Sequence, residues 1–149
     1  MKIVPDTSFL VSWLISQDVN HGKAAGWFAS RAAEDWIISP WAEFETVNSL
    51  RSLVRQTPGP SAVSIEARRR YFKHLFQQGP LIRQTVDWLV AIKDAHEISF
   101  ALAMRLPVRA ADTLHVAILE QVNPDVFVTF DKDQSAVATN RGFQTVHLR

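Results

Sequence analysis

Two aspartates stand where an apolar run typical of a β-strand ends and a helical stretch begins. Asp6 follows the run 2–4, and Asp131 follows the run 126–130; both runs are rich in β-branched or aromatic residues. In an open parallel sheet, ligands bind outside the carboxyl ends of the strands, where both side chains would project. Carboxylate oxygens are ligands that Mg²⁺ prefers. The two aspartates therefore indicate metal chemistry if their strands are neighbours.

Each of these aspartates also has a simpler explanation. Aspartate is a favoured helix N-cap, and Gln134 lies three positions after Asp131, as in a capping box. Taken singly, Asp6 and Asp131 are explained equally well by capping. Further acidic residues in the chain shift the balance toward a functional site.

Asp112 lies in a segment that is apolar on nearly every side. Residues 110–119 read AADTLHVAIL, which predicts a buried helix with few polar positions. A carboxylate is rarely buried unpaired, because it would then take up a proton or bind a cation. The helix dipole offers a purely structural alternative, but we favour a functional role. His115 has no second histidine or cysteine at a zinc-like spacing, so we predict that it packs or hydrogen-bonds near the site.

Two glutamates compete for one position in the next acidic segment. Glu43 and Glu45 follow Ser39 and Pro40, which predict the first turns of a helix after the second strand. Residues two apart point to nearly opposite sides of a helix, so only one of the two can face the site. Helical periodicity leaves the choice between them open.

A cluster of these acids predicts metal-assisted hydrolysis of a phosphodiester. Two carboxylates about 4 Å apart repel by roughly 4 kcal/mol at an effective dielectric near 20, so such a cluster needs a cation or captured protons. Oxygen-only ligands favour Mg²⁺, with Mn²⁺ as a substitute. Three aspartates would hold one or two ions, and a glutamate would help to orient the water that attacks phosphorus. The predicted metal ligands are Asp6, Asp112 and Asp131.

The elements that must position these residues alternate between strands and helices. Strands are predicted at 2–4, 36–39, 126–130 and 145–148, with long helical stretches between them. This alternation predicts a three-layer α/β/α sandwich around a mainly parallel sheet. Breaks at 57–60 and at Gly79–Pro80 delimit one more helix, in a helical hairpin. Its basic run 68–70 is either a solvated face or a phosphate- or dimer-contacting surface.

Length and composition limit the kind of protein. A chain of 149 residues suits a single domain over 1–149. The net charge of +1 gives no general attraction to nucleic acid, and the absence of cysteine excludes disulfides and thiolate zinc sites. The early acid at Asp6 argues against a signal peptide, and the uncharged run 7–17 is too short to span a bilayer. We therefore expect a cytoplasmic protein without a membrane association.

The four acidic segments together resemble the PIN domain, and in particular the VapC toxins of bacterial toxin–antitoxin pairs. The resemblance covers essentially the whole chain. It lies in VPDTS at 4–8, ETVNSL at 45–50, ADTLHVA at 111–117 and TFDKDQ at 129–134. The family register favours Glu45 over Glu43. It also matches Ser8 and Thr129 to positions that hold the carboxylates, although a turn or capping role is equally open to them.

The resemblance implies a fold, an activity and partners. It implies a PIN-like, Mg²⁺- or Mn²⁺-dependent endoribonuclease that leaves a 5′-phosphate, with Asp6, Glu45, Asp112 and Asp131 as catalytic residues. It further implies a homodimer and a VapB-like antitoxin whose tail fills the active-site groove. Trp13, Trp27 and Phe28 either contact this antitoxin or simply pack in the core.

Two other classes of function remain. A magnesium-dependent phosphatase or phosphotransfer protein would use Asp6 as its nucleophile, but the haloacid-dehalogenase type needs a second acid where this chain has Ser8. A catalytically silent RNA-binding or partner-binding module would keep its binding after loss of the carboxylates.

Overall fold

The computed structural model describes residues 1–102 and 104–149, and its helices and strands alternate as a parallel-sheet protein requires. The strands are β1 (Lys2–Pro5), β2 (Asp35–Ile38), β3 (Leu81–Arg83), β4 (Val126–Thr129) and β5 (Thr145–His147). The helices are α1 (Thr7–Leu14), α2 (His21–Ala29), α3 (Pro40–Leu53), α4 (Ala62–Gln78), α5 (Trp88–Leu102), α6 (Ala110–Val122) and α7 (Lys132–Asn140).

The five strands form one sheet in the order β3-β2-β1-β4-β5, and every pair of neighbours is parallel. β1 and β4 are neighbours, with Val4 opposite Phe127 and Pro5 opposite Val128. The carboxyl ends of these two strands therefore meet in the middle of the sheet, which brings Asp6 toward the residues that follow β4.

Side chains alternate between the two faces of the sheet, and each face has its own apolar core. Ile3, Trp36 and Val128 belong to the core that packs against α1 to α4. Val4 and Phe127, which alternate with them, belong to the core that packs against α5 to α7. The predicted three-layer α/β/α sandwich is thus confirmed.

The sequence did not predict β3, and this is the main departure from the expected elements. The strand has three residues, and only Leu81 among them is buried. It lies at the edge of the sheet, so one buried side chain suffices to pair it with β2. Gly79 and Pro80, predicted to break the chain, precede it directly. The helix predicted between the breaks is α4, which packs against α3.

Two groups of residues singled out in the sequence lie outside the centre of the sheet. Arg69 and Arg70, on α4, both bind the carboxylate of Glu66 and lower its pKa to about 2. Trp13 stacks on Phe28 with 4.1 Å between ring centroids, and both rings pack against the core beneath α1 and α2. Trp27 packs there as well.

Within the described ranges, no helix is both long and apolar enough to traverse a bilayer.

Candidate active site

Asp6 begins α1 as its N-cap and is 2% exposed. Its Oδ1 accepts a hydrogen bond from the backbone N–H of Phe9 at 2.8 Å. Two hydroxyls also donate to the carboxylate at 2.7 Å, Ser8 to either oxygen and Thr129 to Oδ2. Asp6 is therefore both a helix cap and a carboxylate held in a fixed orientation.

Ser8 and Thr129 are themselves oriented by backbone groups. The N–H of Phe130 donates to the Ser8 hydroxyl at 2.9 Å, and the N–H of Asp131 donates to the Thr129 hydroxyl at 2.8 Å. Because each oxygen already accepts a hydrogen bond, its single proton is directed at Asp6. Both side chains therefore hydrogen-bond to the carboxylate of Asp6.

Burial raises the pKa of Asp6, and the hydrogen bonds from Phe9, Thr129 and Ser8 oppose this shift without cancelling it. Ionisation of Asp6 is thus less favourable in the folded protein than in water, and a cation beside the carboxylate would offset part of this cost.

Asp131 is the N-cap of α7, and its two oxygens have different surroundings. Oδ1 accepts both capping hydrogen bonds, from the N–H groups of Asp133 at 2.8 Å and Gln134 at 2.9 Å. Oδ2 accepts no hydrogen bond from the part of the chain that the structure describes. Capping and ligand binding are therefore compatible functions of this one side chain.

Asp112 lies in the first turn of α6 and is 7% exposed. Its Oδ2 accepts a hydrogen bond from the backbone N–H of Arg109 at 3.0 Å. Burial raises the pKa of Asp112, the Arg109 hydrogen bond opposes this, and the negative charge of Asp131 raises it further. Asp112 and Asp131 are therefore close enough to repel each other.

Glu45 projects from α3 and pairs with His115. Its Oε2 lies 2.5 Å from Nε2 of His115 and accepts a hydrogen bond from the Thr7 hydroxyl at 2.8 Å. Burial would raise the pKa of Glu45, but the His115 hydrogen bond and charge, together with Thr7, lower it overall. His115 thus hydrogen-bonds within the site, as predicted, whereas Thr7 was not predicted.

Glu43 points away from these residues toward β3. Both of its oxygens accept hydrogen bonds from the guanidinium of Arg83, at 2.8 Å each. The two glutamates on α3 therefore face different surroundings, one a surface arginine and the other the acidic residues. Of the two, it is Glu45 that lines the pocket with the three aspartates.

A pocket of about 570 Å³ brings these side chains together. All four predicted acids line it, along with the hydroxyl of Ser8. The rest of the lining combines polar groups, of which only His115 and Gln134 were singled out from the sequence, with a few apolar contacts. They are Thr7, Val11, Ser12, Asp18, Asn20, Asn48, Ser49, Arg109, Ala111, His115, Phe130 and Gln134. Helical spacing is the one feature of the sequence that could have pointed to some of these residues. Ser12 follows Ser8 by four residues, and Ser49 follows Glu45 by four, so each pair lies on the same side of its helix.

The donor atoms of this pocket suit a hydrated divalent cation. The Gln134 side-chain oxygen is buried without a hydrogen-bond partner, and a water carried by such an ion would satisfy it. Within residues 1–102 and 104–149, no three histidine, aspartate or glutamate side chains converge as a ready ligand set. Because Mg²⁺ uses one or two carboxylates and keeps several waters, the pocket fits this ion's requirements.

Comparison with protein families identifies the fold and the class of protein. Residues 3–140 match the PIN domain, so the chain belongs to the PIN domain family. This membership supports a nuclease. No curated protein matches the chain.

Solved structures with similar folds extend over nearly the same length. VapC20 of Mycobacterium tuberculosis, a toxin that cleaves the sarcin-ricin loop, is 21% identical with a TM-score of 0.71, covering 99% of this chain and 98% of that one. VapBC2 of Rickettsia felis, bound to a DNA fragment from its promoter, is 12% identical with a TM-score of 0.65, and both chains are covered completely. FitAcB of Neisseria gonorrhoeae is 16% identical with a TM-score of 0.63, covering 97% and 96%.

Asp6→Asn is expected to raise the midpoint of thermal unfolding at neutral pH in the presence of EDTA. An acid whose folded pKa is raised stabilises the folded state less as the pH rises from its unfolded pKa through its folded pKa. Asparagine cannot ionise, and its oxygen can still accept the Phe9 hydrogen bond. The difference in melting midpoint between the variant and the wild type should vanish when the pH falls below the usual pKa range of an aspartate.

Circular dichroism melts over a pH series measure this effect. Asp133→Asn is the control, because Asp133 lies outside the pocket. A variant Asp6→Asn that melts below the wild type at neutral pH would contradict the burial argument.

Proposed function

We propose that the protein is a metal-dependent endoribonuclease and the toxin of a VapBC-type toxin–antitoxin pair, built as a single PIN domain over residues 1–149. The observation that carries the proposal is that Asp6, Glu45, Asp112 and Asp131 all line one pocket. They come from four separate parts of the chain, and no requirement of core packing explains why four acids should meet there.

Three aspartates would hold one or two Mg²⁺ or Mn²⁺ ions: Asp6, Asp112 and Asp131. Asp112 Oδ1 and Asp131 Oδ2 accept no hydrogen bond from the described residues, so both are available to a cation or its waters. When bound, the ion would supply an activated water and stabilise negative charge on the phosphate and the leaving oxygen.

Glu45 would bind the metal directly or through water and help to orient the attacking water. Its Oε2 is engaged by Thr7 and His115, which leaves Oε1 without a hydrogen-bond partner among the described residues. His115 fixes the orientation of the carboxylate and keeps it ionised, since the histidine lowers the pKa of Glu45. A carboxylate of lowered pKa is a weak base, but its charge and fixed orientation suit it to accept a hydrogen bond from the attacking water and so to orient that water.

The geometry disfavours the phosphotransfer alternative. A nucleophilic aspartate must bring an oxygen into bonding contact with phosphorus itself, but Asp6 is 2% exposed and both of its oxygens accept hydrogen bonds. A small cation or its water can share such an oxygen, because a carboxylate oxygen has a second lone pair. The pocket therefore offers Asp6 as a fixed charge rather than as a nucleophile.

The proposed partners are an RNA substrate, a second copy of the chain and a VapB-like antitoxin in the cytoplasm. Support comes from the VapBC complexes among the structural neighbours and from exposed apolar side chains on α5. Leu89 and Phe100 are 87% and 85% exposed, which is typical of surfaces that partner proteins cover.

The test is cleavage of structured and unstructured RNAs by the purified chain. We expect cleavage with Mn²⁺ or Mg²⁺, none after EDTA treatment, recovery when metal is restored, and products with a 5′-phosphate. A silent RNA-binding module would bind these RNAs and leave them intact under every metal condition, which would refute the proposal.

A further inference from the structure

Arg109 is the basic residue of the pocket wall. Of the residues that line the pocket, five are acidic, and Arg109 is the one lysine or arginine. Its backbone is extended, and its N–H donates to Asp112 Oδ2 at 3.0 Å. The arginine is therefore anchored through its main chain directly beside one of the proposed metal ligands, while its side chain is exposed.

The guanidinium of Arg109 has no partner within the described residues. No carboxylate there lies within ion-pairing distance of it, and it donates no hydrogen bond. Some arginines are paired within the chain: Arg83 binds Glu43 with two hydrogen bonds, and Arg141 binds Glu120. Among the described residues Arg105 is unpaired as well, but it lies outside the pocket. Arg109 differs from it in position, because its unpaired guanidinium belongs to the wall of the acidic pocket, where an entering ligand can reach it.

A phosphate group matches what this arginine offers. A guanidinium presents planar pairs of N–H donors that bind a phosphate through two parallel hydrogen bonds. A polyanion approaching five acids is repelled, and one fixed cation at the wall offsets part of this repulsion. The alternative is that Arg109 merely reduces the negative charge of the acids, in which case its partner would be the acids rather than the substrate.

We propose that the side chain of Arg109 binds a phosphate of the RNA, next to the acids that carry out hydrolysis. This inference rests on the proposed ribonuclease function and adds to it the residue that holds the substrate's backbone. Arg109 contacts a phosphate and reads no base, so its loss should weaken the use of all RNA sequences alike.

The experiment compares Arg109→Gln with Arg105→Gln in the full chain. Arg105 is exposed, lies four residues earlier and is absent from the pocket wall, so it is a matched control for the loss of one positive charge. RNA cleavage is measured with Mn²⁺ over a range of RNA and salt concentrations, and Mn²⁺ affinity is measured separately. Thermal unfolding of both variants checks that they are folded.

Arg109→Gln is expected to lower kcat/KM by about 10- to 100-fold, the loss that a charge-assisted hydrogen-bonded contact represents. The slope of log kcat/KM against log salt should fall by about one, as for a single phosphate contact. Arg109→Lys should recover part of the loss, because it keeps the charge without the planar donors. Arg105→Gln should retain wild-type kinetics.

Three results have different meanings. Equal kcat/KM for Arg109→Gln and Arg105→Gln would overturn the proposed phosphate contact of Arg109 but leave the proposed ribonuclease function standing. Tighter Mn²⁺ binding by Arg109→Gln with unchanged kcat/KM would also overturn it, in favour of simple charge compensation. Absence of RNA cleavage by both the wild type and Arg105→Gln would instead overturn the proposed function on which the contact rests.

Discussion

Asp112→Asn is expected to lower kcat/KM for RNA cleavage by about 1000-fold while the protein stays folded. A bound divalent ion contributes several kcal/mol to phosphodiester hydrolysis, and about 4 kcal/mol corresponds to this factor. The asparagine oxygen can still accept the hydrogen bond from the Arg109 N–H, so the first turn of α6 keeps its capping contact. The amide removes the charge that burial and Asp131 make unfavourable.

Initial rates with Mn²⁺ measure this prediction, and thermal unfolding shows that the variant is folded. Asp133→Asn is the matched control, because Asp133 is an acid beside Asp131 that does not line the pocket. Retention of more than a third of wild-type activity by Asp112→Asn would refute its assignment as a metal ligand.

Glu45→Gln and Glu43→Gln should separate activity from stability. Glu45→Gln is expected to lower kcat by about 100-fold, because the neutral amide loses the charge-assisted hydrogen bond that orients the attacking water, a contact worth up to about 3 kcal/mol. Glu43→Gln should leave kcat unchanged and lower the free energy of unfolding by about 0.5 kcal/mol, because Glu43 pairs with Arg83 at a partly exposed surface.

The pH dependence of stability distinguishes the same two variants. Because the pKa of Glu45 is lowered, its pairing with His115 and Thr7 stabilises the protein above the unfolded pKa, and this contribution is lost as the pH falls through the folded pKa. Glu45→Gln should remove this part of the acid sensitivity, whereas Glu43→Gln should retain it. Equal loss of activity in both variants would refute the assignment of Glu45 rather than Glu43 as the glutamate that takes part in hydrolysis.

Much of the site could be predicted because three of its acids are fixed by local features. Asp6 and Asp131 follow apolar runs that become the neighbouring strands β1 and β4. Asp112 interrupts an apolar helix, and its burial is improbable without a function. These patterns lie within a few residues of each acid, so they can be recognised in a single sequence without knowledge of the fold.

The remaining features depend on contacts between distant parts of the chain. The choice between Glu43 and Glu45 depends on Arg83, forty residues away in β3, a strand too short to show a pattern. The hydrogen bond from Thr7 to Glu45 spans thirty-eight residues. The unpaired guanidinium of Arg109 and the unsatisfied side-chain oxygen of Gln134 could not be predicted from residue type. Both depend on the absence of a hydrogen-bond partner nearby in the folded structure.

The hydrogen bonds between Ser8, Asp6 and Thr129 also determine when the site can form during synthesis. They join residues at the end of β1 to residues at the end of β4, more than 120 positions later. β1 lies in the middle of the sheet and lacks one of its two neighbours until β4 has left the ribosome. In a nascent chain the acids that precede β4 therefore remain apart from Asp131 until β4 has been synthesised. The pocket proposed here assembles only after that step, so its formation is coupled to completion of the β1–β4 pair.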